Sequence, residues 1–133
     1  MNDRYPSPAE IFIQKASEDE RTLGLEGVPE TVSGFHAQQA VEKLIKALLL
    51  ELKVPFDLTH DLTRLQKLLE AAGEKLPSTP LSLGDLNDFA VFYRYELSDE
   101  YELPVRGDLL DTVRIIREHV IARIAVLTRT SSE

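Results

Sequence analysis

The chain contains no cysteine and no tryptophan, a single methionine and only four tyrosines and five phenylalanines. Without thiols there is no disulfide and no thiolate zinc site. That fits a reducing, cytoplasmic setting, where disulfides are rare. No uninterrupted apolar run approaches the roughly 18 residues needed to span a bilayer. The opening stretch MNDRYPSPAE also lacks the apolar core of a secretion signal, so no membrane association is expected. Positive charge is scarce as well: 15 Lys and Arg stand against 23 Asp and Glu, for a formal net charge of −8. A free-standing nucleic-acid binder draws most of its affinity from phosphate contacts and carries a basic face, which this balance disfavours. The deficit is uneven. Residues 1–103 hold 10 bases and 19 acids, whereas residues 104–133 hold 5 and 4, so only the C-terminal part leaves room for a modest RNA contact. Missing too are alternating strand patterns, a Gly-rich phosphate loop, a nucleophile elbow and a dinucleotide fingerprint.

What remains is helical. With 43% apolar and 29% charged residues, the 133-residue chain reads as one globular domain. Ser7-Pro8-Ala9-Glu10 has the residues of a capping box with proline at the first helical position, opening a helix that runs to about Leu23. Gly24, Gly27 and Pro29 break it. A second helix is expected from Glu30 to Lys53 and a third from His60 to Ala72, closed by Gly73. A fourth begins near Ser82 with Leu86, Phe89, Ala90 and Tyr93, and a fifth spans about Asp108 to Arg129 with Val113, Ile116, Val120, Ile124 and Leu127 as its seam. Short joints between them predict an all-α, up-and-down bundle of four to five helices.

The second helix is apolar on two faces. Ala37, Val41, Leu44, Leu48 and Leu52 form one; His36, Ala40, Lys43, Ala47 and Leu50 form another that turns polar at its N-terminal end. It must therefore sit centrally, with neighbours on both sides or a dimer partner on one.

FHAQQAVEKLIKALLLELKVPFDLTHDLTRLQKLL, followed by the Arg94-Tyr95 pair in FYRYE, resembles the HEPN domain (higher eukaryotes and prokaryotes nucleotide-binding). The resemblance covers nearly the whole chain and implies a helical bundle that is commonly dimeric. It also implies frequent partnership with a minimal nucleotidyltransferase in a toxin–antitoxin-like pair, and in some members metal-independent RNA cleavage. The cleaving members carry Arg, four to six residues, then His. Here Arg94 is followed at that distance by Tyr101, and the acidic tract after it (Glu96, Asp99, Glu100, Glu102) would repel phosphates over roughly 8 Å at physiological salt. Tyrosine, with an ordinary pKa of about 10, is a poor base near neutrality. The pattern recurs as Arg114 to His119, but a five-residue helical step sets two side chains about 140° apart.

His36, Gln39 and Lys43 share one face of the second helix. Two readings stand open. In one, they form a patch for a nucleotide or RNA phosphate, joined by Arg94 as a planar fork and Tyr95 as a stacking ring. In the other, they satisfy one another where helices cross. Thr59 or Asp61 is read as the cap of the third helix with His60 fixing its approach. Glu42 and Lys46 read as an ordinary helix-supporting pair, and Arg114, Arg117 and Arg123 as a solvated face. His36, His60 and His119 share no ligand spacing, so neither metal nor cofactor is expected. The leading expectation is a nucleotide-associated interaction module, homodimeric and paired with a nucleotidyltransferase-type protein. The alternative is an endoribonuclease toxin acting as a dimer.

Overall fold

A computed structural model describes residues 5–95 and 106–132, with side chains at 5–89 and 106–130. Among them are five α-helices and no strand: α1 (Pro8–Leu23), α2 (Glu30–Glu51), α3 (Leu62–Ala71), α4 (Leu83–Tyr95) and α5 (Arg106–Ser132). The all-α bundle expected from the sequence is thus the observed architecture.

Local chemistry sets the helix ends. At α1 the Ser7 hydroxyl accepts from the Glu10 amide at 3.1 Å, and the Glu10 carboxylate accepts from the Ser7 amide at 2.9 Å, which is the full capping box. α2 stops two residues earlier than its apolar pattern suggests. Lys53 takes a left-handed conformation (φ 61°), so its amide reaches the Leu50 carbonyl and the Val54 amide reaches that of Leu49. α3 closes the same way: Gly73 (φ 87°) and Glu74 donate to Glu70 and Leu69. The difference is that lysine, unlike glycine, pays for its Cβ in that conformation. α3 starts at Leu62, two residues later than expected, because Asp61 is its cap and accepts from the Thr63 amide at 3.0 Å. Asn87 of α4 adds a second cap, accepting from the Leu62 amide at 2.9 Å while its own amide group donates to Asp61 at 2.8 Å. These hydrogen bonds hold the Asp61 carboxyl below its ordinary range, the Thr63 hydroxyl contributing most. α5 exceeds its expected span at both ends. Arg106, in its first turn, donates to the Leu25 and Val28 carbonyls and so fastens the α1–α2 loop.

α2 lies at the centre and packs against each of the other four helices. Ala37, Ala40, Val41, Leu44, Ile45, Ala47, Leu48 and Leu49 are all fully buried along it. Against this rod lie Leu23 of α1, Leu65 and Leu69 of α3, Leu86 of α4, and Leu109, Val113 and Val120 of α5. At its N-terminal end Gly34 lets the Phe89 ring of α4 approach closely; a Cβ placed there would stand 2.8 Å from Phe89 Cγ.

Candidate functional site

The polar groups of α2 divide between two crossings. On the α1 side, Asp19 occupies the third place in a seam that runs Phe12, Ala16, Asp19, Leu23, where helical spacing calls for an apolar residue. It is only 8% exposed. Its Oδ1 lies 2.8 Å from His36 Nδ1, and its Oδ2 accepts from Lys43 Nζ. His36 and Lys43, seven residues apart on α2, thus converge on one carboxylate. A carboxylate acceptor keeps the imidazole proton on Nδ1.

On the α3 side the hub is Glu42, 4% exposed. Its carboxylate oxygens each lie 3.0 Å from His60 Nδ1, and Oε2 accepts from Lys46 Nζ at 3.0 Å. Gln38, wholly buried, donates from Nε2 to the His60 carbonyl at 3.0 Å and to Glu42 Oε1 at 3.3 Å. Lys46 also stands 5.8 Å from the centre of the Phe56 ring. The Glu42–Lys46 pair is therefore not an ordinary surface pair, as its spacing alone suggests, but a buried one. In a low-dielectric interior such ions need every partner they have.

His36 and Lys43 are brought together by Asp19. Gln39, which shares their face in sequence, turns to the other network and donates to Gln38 Oε1 at 2.7 Å. Arg94 and Tyr95 lie on the last turn of α4, with their side chains outside the described residues; Tyr101 and the acidic tract also fall outside them. Arg114 is exposed and ion-paired along α5 with Asp111 and Glu118, both at 3.4 Å. His119 has its Nε2 buried, without a hydrogen-bond partner among the described residues. Arg114 and His119 accordingly point to different environments. Arg117 and Arg123 of α5 are not simply solvated. Arg117 donates to Glu20 at 2.9 Å, and Arg123 makes a two-pronged pair with Glu74 at 3.0 and 2.8 Å. That pair holds the Glu74 carboxyl below its ordinary value, aided by the nearby His119, and raises the Arg123 guanidinium. No group of three or more metal-ligating side chains gathers among the described residues.

Asp19 was not singled out from the sequence, although a charge interrupting an apolar seam at helical spacing marks it. Glu42 carries the same mark, lying with Gln38, Ile45 and Leu49 on a stripe that is otherwise inward-facing.

A central helix with polar hubs at two crossings, packed against four other helices with no strand among the described residues, defines a small all-α bundle module. The HEPN domain model matches residues 8–124, and the chain belongs to that family. Membership implies a nucleotide-associated or ribonuclease-like module. No curated protein and no solved structure matched the chain. No helix among the described residues is long and apolar enough to cross a membrane.

Proposed function

We propose that the chain is a HEPN interaction module that works as a homodimer beside a nucleotidyltransferase-type protein in a toxin–antitoxin-like pair, in the cytoplasm, and is not itself an efficient nuclease. The observation that carries the non-nuclease part of this reading is the fate of the one Arg-x4-His pattern in the sequence; the dimer and the partner rest on family membership. Arg114 faces solvent between two acids while His119 buries Nε2, so within one chain the two do not flank a common phosphate. General acid–base work on a phosphodiester needs proton donor and charge stabiliser around one group. Arg94 lacks a histidine at the corresponding distance. The nucleotide-associated part of the reading rests on His36 and Lys43 of α2, Gln39 being turned toward Gln38, with Arg94 and Tyr95 of α4 as phosphate fork and stacking ring.

The test is co-expression with the product of the neighbouring reading frame, followed by affinity purification through one component and mass measurement by light scattering. Two copies of this chain in a complex with the neighbour are expected. Separate elution, with this chain monomeric at tens of micromolar, would remove both the partnership and the dimer.

A further inference from the structure

An anionic ligand at the α2 patch would need two donors at the right separation, one from imidazole and one from ammonium. In the folded chain those donors are already taken. Asp19 presents one oxygen to His36 Nδ1 at 2.8 Å and the other to Lys43 Nζ, as two oxygens of a phosphate would. The carboxylate reaches this place from a different helix, at a position where α1 otherwise contributes apolar packing. Packing alone therefore does not call for it, since an apolar side chain of similar size would continue the seam. His36 and Lys43 keep 25% and 22% of their side-chain surface exposed, against 10% for Asp19, so the donors border solvent while their acceptor closes the site from within.

We propose that Asp19 is a built-in anion that plugs the His36–Lys43 site, and that the phosphate group of a nucleotide gains these two donors only when α1 draws Asp19 away. The inference rests on the ligand patch described under the proposed function and adds its regulation. In the closed state the carboxylate competes as a tethered ligand, at an effective concentration set by its place on α1. The intact protein is then a weak binder by construction, and a partner that displaces α1 would open the site.

Asp19→Asn preserves the shape of the plug and removes its charge. Inorganic pyrophosphate, titrated by calorimetry against wild type and Asp19→Asn at low salt, is expected to bind the variant about tenfold tighter or more. Adding Lys43→Ala to the variant should abolish the gain. Asp19→Ser carries the same test should the asparagine variant not fold, because it shortens the side chain and vacates the position. Equal, Lys43-dependent binding by wild type and variant would leave the patch standing and overturn the plug. A gain that survives Lys43→Ala would also overturn it. Absence of binding by either protein would remove the patch and the plug together.

Discussion

Replacing Gly34 by alanine should show how closely α2 and α4 are fitted. The new Cβ would stand 2.8 Å from Phe89 Cγ, 3.0 Å from Cδ1 and 3.1 Å from Cβ. The first and last of these atoms are near the ring's attachment, so swinging the ring alone does not clear the contact, and α4 itself must shift. Phe89 is 6% exposed and packed in the core, which leaves it little room to move. Overpacking of this kind costs about 1–3 kcal/mol. Alanine in a helix interior returns about 1 kcal/mol relative to glycine. The net expected is a loss of about 0–2 kcal/mol, centred near 1, which at about 4 °C per kcal/mol for a domain of this size lowers Tm by up to about 8 °C. The decisive comparison is a double-mutant cycle with Phe89→Leu, measured by urea or thermal unfolding. In the leucine background the clash is relieved, so Gly34→Ala should become neutral or stabilising, with a coupling of at least about 1 kcal/mol. Stabilisation of the wild type by the alanine, or simple additivity, would refute the close approach. The consequence reaches function, because the last turn of α4 carries Arg94 and Tyr95.

Glu42→Ala strands the buried Lys46 ammonium and should cost about 3–5 kcal/mol, whereas Glu42→Leu combined with Lys46→Met should cost far less, since apolar replacement of a whole buried pair is often neutral; comparing their unfolding midpoints in urea decides it. Glu74 has a folded pKa below its ordinary 4.5, so the stability it contributes is present above that value and is lost as pH falls through the folded value. The Tm difference between wild type and Glu74→Gln should therefore be clear at pH 7 and shrink in strongly acidic buffer; a difference that stayed constant across that range would show that the Arg123 pair does not hold the carboxyl.

The sequence made the helices legible where their signals are local. The Ser7–Glu10 box and the glycines after Leu23 fix α1 at the residues expected, and the two apolar faces of α2 place it at the centre of the bundle. Ends set by geometry were less legible. Nothing in the local pattern announces that Lys53 will adopt a left-handed conformation, because that residue type normally avoids it. The α3 start is legible in part as the Asp61 cap, but the second cap from Asn87, 25 residues away from Leu62, is contained in no local signal. The same limit applies to the polar groups. Periodicity shows that His36, Gln39 and Lys43 share a face, but not that Asp19 meets two of them or that Gln39 turns to Gln38. Glu42 and Lys46 have the spacing of a surface pair; only the arrival of α3 and His60 makes them an interior one.

The central claim, a HEPN module that associates with partners and is not itself an efficient nuclease, meets its most direct test in incubation of the purified protein with single-stranded and structured RNA in EDTA, alongside Arg94→Ala and His119→Ala. The account predicts that the RNA stays intact with all three proteins, because Arg94 has no histidine at the required distance and Arg114 and His119 face apart. Metal-independent cleavage by the wild type that both variants lose would contradict it and make the chain an endoribonuclease toxin.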